Sequence, residues 1–215
     1  MAIRSEVILA RITPRRRKRQ AARFLLQIVR PLGAAMTVVL PDTLKRFIWD
    51  FQSVVELAEN PRELLVIGGD VFRRALDAPD LAPPAFAAAN PSEPQLYQLY
   101  ADALARFAVA ILALAPNQEG PVLPGAGWRL AGLLSGAAIR RSEGGAEARL
   151  AQGQMETARA GGGAAQYSND SPDRPALLLL AFDAADLAAP AAPSFANGPD
   201  NPPFDIFTIQ TRIEA

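Results

Sequence analysis

Five consecutive cations, Arg15, Arg16, Arg17, Lys18 and Arg19, form the densest group of charged side chains in the sequence, and Arg23 follows soon after. Such a run can contact the phosphates of a nucleic acid, or another polyanion, with an affinity that depends on salt. Two other interpretations stay open, a solvated or protein-contacting loop and an organelle-targeting segment, because Val7–Pro41 is rich in Arg and contains no Asp or Glu. We expect these six residues to bind a polyanion or a protein partner.

The charge is distributed unevenly along the chain. From Met1 to Arg46, eleven Arg and Lys residues against Glu6 and Asp42 give +9, and the remaining residues carry eleven Arg against twenty Asp and Glu, which gives −9. The formal net charge is therefore zero. Because opposite charges attract, the partner of the basic end is either a polyanion or the acidic part of another copy of the chain.

The composition removes most catalytic and metal chemistry. The sequence contains no Cys and no His, which excludes disulfides, thiolate or imidazole ligands and the usual nucleophilic triads. The Gly-rich stretch Pro124–Gly136 lacks the Lys and Ser/Thr of a phosphate-binding loop, and the spaced Asp pairs lack a calcium-loop pattern. We expect no enzyme, no cofactor, no metal and no small-molecule substrate, with catalysis by carboxylates alone as the alternative.

Several segments have the apolar periodicity of helices. Asp42 is placed to cap a helix over Thr43–Glu59, and Pro61 to start a second over Arg62–Leu76, for which a buried strand at Leu64–Ile67 is the alternative. The most regular stripe lies within Pro94–Ala115 and consists of Leu96, Leu99, Tyr100, Ala103, Leu104, Phe107, Ile111 and Leu114. Further helices are predicted over Trp128–Arg141 and Glu147–Ala160. The Arg73-Arg74 doublet then lies near the C-terminus of the helix Arg62–Leu76, and Arg140-Arg141 near the C-terminus of the helix Trp128–Arg141.

The other segments suggest strands, loops and arms. Short strands are predicted at Ser5–Thr13, Thr37–Leu40 and Ala176–Phe182, and a short helix at Gln20–Val29. Asp77–Pro94 is an extended connector and Gly161–Pro175 a polar loop. The predicted fold is α+β and helix-rich, with central amphipathic helices built on Thr43–Glu59 and Pro94–Ala115, short peripheral strands and extended Pro/Ala arms. Its predicted parts are a basic segment (1–41), a globular domain (42–182) and a C-terminal arm (183–215).

The C-terminal arm contains a second Ala/Pro connector, Ala184–Pro203, and ends in the strand-like segment Phe204–Ile213. A terminal strand needs a pairing partner, so it either returns to the sheet of its own chain or adds to a neighbouring subunit. The residues predicted to make that subunit contact are Phe204, Ile206, Phe207, Ile209 and Ile213.

These features together favour a non-catalytic structural subunit of a large assembly, of the phage virion, phage tail or contractile-machine type. The alternatives are a nucleic-acid-associated accessory protein that uses the basic run, and a peripheral subunit of a membrane or organellar complex. The expected partners are copies of the chain or other subunits, with nucleic acid as a further candidate. No transmembrane segment is expected, because no stretch reaches the ~20 apolar residues that span a bilayer. We expect the virion or the cytoplasm as its location, with organellar import left open.

Overall fold

The computed structural model describes residues 41–187 and 194–196 of the 215-residue chain. Two long helices come first and nine strands follow them in this part of the chain. The helices are α1 (Asp42–Leu57), α2 (Pro61–Leu76) and the short α3 (Ala184–Leu187), with a 3₁₀ turn at Pro84–Phe86. The strands are β1 (Gln95–Ala101), β2 (Phe107–Leu114), β3 (Glu119–Leu123), β4 (Arg129–Ser135), β5 (Ala137–Ser142), β6 (Glu147–Ala151), β7 (Met155–Ala158), β8 (Ala165–Asn169) and β9 (Ala176–Asp183). The predicted elements Ser5–Thr13, Gln20–Val29, Thr37–Leu40 and Phe204–Ile213 lie outside the described residues.

The strands form two antiparallel sheets, a five-stranded sheet in the order β1-β2-β9-β4-β7 and a four-stranded sheet in the order β3-β8-β5-β6. Apolar side chains from both sheets meet in one buried cluster, so the sheets pack face to face. A second cluster joins α1 and α2 to the other face of the five-stranded sheet. The described residues therefore form three layers, and the predicted helix-rich fold is wrong because β-strands make up two of them.

The two central strands explain why the helix predicted over Pro94–Ala115 is wrong. Every residue of β2 is 0 % exposed, since one face meets the helices and the other meets the second sheet. A strand buried on both faces has no polar alternation, and its continuous apolar run also fits a helical stripe. The segment instead forms the hairpin of β1 and β2. Its neighbour β9 matches the predicted strand Ala176–Phe182 and confirms it.

The segments at Trp128–Arg141 and Glu147–Ala160 also form strands rather than the predicted helices, and the polar loop Gly161–Pro175 contains β8. Gly136 separates β4 from β5 with φ +87°, where a Cβ would lie 2.5 Å from the carbonyl oxygen of Pro175. Glycine can adopt this positive φ because it has no Cβ. The two strands on either side of Gly136 belong to different sheets.

The structure confirms both long helices of the prediction. α1 is amphipathic, and Phe47, Phe51 and Phe72 of the two helices are joined by ring contacts. The Asn60 side chain caps α2 by accepting hydrogen bonds from the N–H groups of Arg62 and Glu63, with Pro61 in the first turn. Asp42 is the first residue of α1 rather than its cap, which is Pro41. Leu64–Ile67 is helical, so the alternative strand there is wrong.

The turn between β1 and β2 is held by an ion pair. Asp102 Oδ2 accepts hydrogen bonds from Leu104 N at 3.1 Å and Arg106 Nε at 2.8 Å. Arg106 also donates to Glu56 of α1 at 3.2 Å, which ties the hairpin to the helical layer. Burial would raise the pKa of the Asp102 carboxyl, but the hydrogen bonds from Arg106 and Leu104 lower it further than burial raises it. Ala105 adopts φ +53° in this turn.

We predict that Asp102→Asn lowers the free energy of unfolding by about 2 kcal/mol at neutral pH, the usual value for a hydrogen bond to a charged group. The pKa of Asp102 is depressed in the folded state, so this stabilisation is present above the ordinary value of 3.8 and is lost as the pH falls through the lower folded pKa. Urea titrations from pH 7 to pH 2 measure it. Asp70→Asn, in an exposed pair with Arg73, is the matched control and should change stability by less than about 0.5 kcal/mol. A constant difference between wild type and Asp102→Asn down to pH 2 would contradict the prediction.

We also predict that Gly132→Ala destabilises the fold by about 1–3 kcal/mol, the usual cost of overpacking. A Cβ at Gly132 in β4 would lie 2.4 Å from Leu76 Cδ1 and 2.8 Å from Phe72 Cε1, so α2 must move away from the sheet. Chemical denaturation measures the change. Gly144→Ala is the control because no atom lies within 4 Å of its Cβ position. Equal stability of the two variants would mean that α2 does not pack on β4 as described.

Candidate functional site

The outer face of the four-stranded sheet carries charged side chains that pair with one another. Arg141 Nε lies 3.0 Å from Glu147 Oε1 and Arg141 Nη1 lies 3.5 Å from Glu119 Oε1. Arg149 Nη2 lies 2.8 Å from Asp170 Oδ2. Because these ion pairs are largely exposed, each contributes little to stability and keeps the surface hydrated. This face has the character of a solvated surface.

A second set of polar side chains lies between the two sheets. Glu156 of β7 is contacted on both carboxylate oxygens, by Tyr167 Oη at 2.5 Å from Oε1 and by Arg140 Nε at 2.9 Å from Oε2. Tyr167 is fully buried on β8, whereas the side chains of Arg140 and Glu156 are 25 % and 24 % exposed. The Arg140 Nε–H is not aligned for a hydrogen bond with any acceptor, so its contact with Glu156 is electrostatic. Arg140 also donates to Ser142 Oγ.

Two further charged residues extend this inter-sheet network toward α3. Arg129 is 4 % exposed and donates to the carbonyl oxygen of Pro124 at 2.9 Å. Asp186 is 3 % exposed and accepts from Gly127 N at 2.9 Å. Burial raises the pKa of the Asp186 carboxyl, with the backbone N–H of Gly127 and the charge of Arg129 opposing it. Burial likewise raises the pKa of Tyr167, which stays a hydrogen-bond donor.

The inter-sheet network balances its own charges. It contains Arg129 and Arg140 against Glu156 and Asp186. Tyr167 donates to Glu156, and the charge of Arg129 opposes the rise in the pKa of both Tyr167 and Asp186. Both oxygens of Glu156 are in contact with partners, so this carboxylate is not free to act as a base. Among residues 41–187 and 194–196, no three His, Cys, Asp or Glu side chains are grouped so that they could hold a metal ion. The inter-sheet network is a cross-link between β7 in one sheet and β5 and β8 in the other.

The helical layer shows a different surface. Among the described residues, six large apolar side chains are exposed, and four of them lie on α1 and α2: Trp49, Leu57, Val66 and Ile67. Between the two helices runs a groove of about 250 Å³. Its floor includes the buried side chains of Phe47, Val71 and Ala75, and Arg46, Asp50 and Arg74 line it as well. An apolar floor with charges of both signs beside it is typical of a protein-contact surface.

The residues predicted from the sequence to bind a partner lie outside the described residues. This applies to the basic residues Arg15, Arg16, Arg17, Lys18, Arg19 and Arg23 and to the strand residues Phe204, Ile206, Phe207, Ile209 and Ile213. Both contacts stay predictions. Arg73 and Arg74 lie in the last turn of α2 as predicted. Arg140 and Arg141 are on strand β5, so their predicted place at a helix end is wrong. Arg140 points between the sheets and Arg141 points outward.

Sequence reasoning missed the inter-sheet network entirely. Its members come from four strands predicted as helix or loop and from α3, which lies in the predicted connector, so their side chains could not be assigned to a common face. The alternation of Ala138, Arg140 and Ser142 on one face of β5 is the signal that strand periodicity would have provided. In the described part of the chain, no helix has both the length and the apolar character needed to cross a membrane.

No protein-family model matches this chain, and no curated protein matches it either. Its fold is similar to several solved structures. Over 49 % of this chain and 88 % of the other, it resembles an uncharacterised conserved protein with a double-stranded β-helix domain from Klebsiella pneumoniae, at 16 % identity and a TM-score of 0.42. It also resembles an RmlC-like cupin protein from Desulfovibrio desulfuricans, at 13 % identity over 45 % of this chain and 88 % of the other with a TM-score of 0.39. A third similar structure is TT1209 from Thermus thermophilus, at 27 % identity over 46 % of this chain and 90 % of the other with a TM-score of 0.39.

The expected structural subunit of a phage virion, phage tail or contractile machine is wrong. That hypothesis was based on the missing His and Cys, the two Ala/Pro connectors, the terminal strand and the opposite charges. It was joined to a helix-rich fold, whereas the core of the described residues consists of two antiparallel sheets.

We predict that Tyr167→Phe lowers the free energy of unfolding by about 1–3 kcal/mol, because it removes the hydroxyl that donates to Glu156 Oε1. Glu156→Gln should cost a similar amount, and the double variant should cost less than the sum because the two groups are in contact. Denaturant unfolding of the four proteins measures the coupling. Ser168→Ala, on the same strand but bonded to Ile139 O at only 3.5 Å, is the control. Additive effects of the two substitutions would show that the network is not a unit.

Proposed function

We propose that this chain is a non-catalytic protein-binding domain that associates with copies of itself through its helical layer. The observation that carries this proposal is the concentration of exposed apolar side chains on α1 and α2. Val66 is 64 % exposed and Ile67 is 46 % exposed, and they are consecutive residues near the middle of α2. Isolated apolar side chains are ordinary on a surface, but four on one helical pair are a docking feature.

The other large surface of the described residues supports this choice. The outward face of the four-stranded sheet is occupied by the ion pairs of Arg141 and Arg149, which a partner would have to dehydrate. Between the sheets, apolar side chains and the inter-sheet network occupy the space. The helical layer is therefore the surface where a partner would gain apolar burial at the lowest cost in lost ion-pair hydration.

A second copy is the partner that the charges of this layer favour. Arg46 and Arg74 line the groove together with Asp50, so the groove carries both signs. In a two-fold interface the same patch meets itself, and such a patch must supply both members of each charged pair. The opposite charges of residues 1–46, +9, and of residues 47–215, −9, favour the same partner.

A non-catalytic role is supported by the chemistry of the residues. The whole sequence contains no His and no Cys, and the Glu156 carboxylate already contacts Tyr167 and Arg140. Buried polar groups that contact one another across a core are common in structural roles. Under this proposal the sandwich supports the helical layer, and the helical layer makes the contact.

Sedimentation equilibrium of the full chain tests the proposal. We predict a mass above 22.9 kDa that rises with protein concentration. The double variant Val66→Asp, Ile67→Asp should weaken association about a thousandfold, because a two-fold interface loses four apolar side chains at ~1 kcal/mol each.

The matched control is Val122→Asp, which adds a carboxylate at another exposed apolar position, 53 % exposed on β3. It should leave the association unchanged. A wild-type chain that stays at 22.9 kDa at every concentration would overturn the self-association proposal. Equal weakening by Val122→Asp would place the contact elsewhere than the helical layer.

A further inference from the structure

The two sheets contain unequal numbers of strands, and this leaves one side of the sandwich open. A Cβ at Gly120 of β3 would lie 3.1 Å from Leu112 Cδ2 and 3.4 Å from Leu114 Cδ2, so β3 lies opposite β2. β3 is the edge of its sheet, whereas the five-stranded sheet continues past β2 to β1. The inner face of β1 therefore has no strand of the four-stranded sheet opposite it.

Residues from the C-terminal part of the chain lie at this open side. Phe195 packs against the buried apolar cluster between the two sheets, and Leu96 of β1 is a member of that cluster. Ala196 N donates a hydrogen bond of 2.7 Å to the carbonyl oxygen of Leu96. Leu96 is 1 % exposed. An aromatic side chain and a main-chain bond on the edge strand thus meet at one position.

We propose that the open side of the sandwich at β1 is a docking site for an extended segment with an aromatic anchor, and that residues 194–196 of the same chain occupy it. Strand-edge recognition combines main-chain hydrogen bonds, which give affinity, with a pocket for a side chain, which gives specificity. Here the bond from Ala196 is the first component and the apolar contact of Phe195 is the second. This site is separate from the helical layer, so it does not depend on the proposed self-association.

The residues around Phe195 define the kind of segment that fits. Ser194 is exposed and Ala196 is half-buried, so small residues flank the aromatic one. Covering the edge strand also hides main-chain groups that otherwise pair with other chains. The occupant is therefore a small–aromatic–small segment in extended form, and a peptide of that pattern should compete for the site when Phe195 is removed.

Hydrogen exchange of the full chain tests the site. In Phe195→Ala, the amides of β1 should exchange at least about tenfold faster than in wild type, while those of β4 and β9 keep their rates, because only the edge strand loses its cover. Ser194→Ala is the matched control and should leave β1 unchanged, since Ser194 is exposed. Ala196→Pro removes the donated N–H but keeps Phe195, and it should accelerate the same amides.

A peptide with the sequence of residues 192–199 is the second probe. It should bind Phe195→Ala at least about tenfold more tightly than wild type, in which the site is filled, and the same peptide with Ala at the Phe position should not bind. Unchanged β1 exchange in both Phe195→Ala and Ala196→Pro would overturn the proposal. Equal peptide affinity for wild type and variant would overturn it as well. Should Phe195→Ala accelerate exchange throughout the sheet, the outcome for Ala196→Pro decides.

Discussion

The burial of β2 and β9 on both faces is the constraint on which the rest of this structure depends. These two strands form the centre of the five-stranded sheet, and their backbone hydrogen bonds are formed within it. Their side chains still need apolar cover above and below, because exposed apolar surface is unfavourable in water. The second sheet supplies one cover and the helical layer supplies the other. The four-stranded sheet and the helical layer then each have only their outer face available for contacts.

The outer faces of the four-stranded sheet and of the helical layer differ in their chemistry. The four-stranded sheet carries paired charges on alternating positions, which keep its surface hydrated. The helical layer must bury a wide stripe against the sheet, and it also carries Trp49, Val66 and Ile67 on its outward side. The inter-sheet network and the contact of Phe195 close the sandwich at separate places. These outer faces are the surfaces on which the proposed binding role depends.

Sequence reasoning found the elements that are covered on one side or marked by local chemistry. α1 and α2 are amphipathic, and Asn60 with Pro61 marks the start of α2. β2 was not recognisable because complete burial removes its periodicity. The turn before it has no Asn-Gly or Asp-Gly signature, and its left-handed residue is Ala105, a type that gives no signal. Arg140 was assigned to a helix end, and its place between the sheets depends on a pairing with β8 that no local pattern reveals.

The two tryptophans provide the most direct measurement of the central claim, that the helical layer is the contact surface. Trp49 is 38 % exposed on α1, whereas Trp128 is 3 % exposed beneath it. Fluorine labelling of both indoles gives one resonance for each, and single Trp→Phe variants assign them. The account predicts that the Trp49 resonance shifts with protein concentration while that of Trp128 stays fixed. A Trp49 resonance that does not change across the concentration range in which the mass of the chain increases would contradict it.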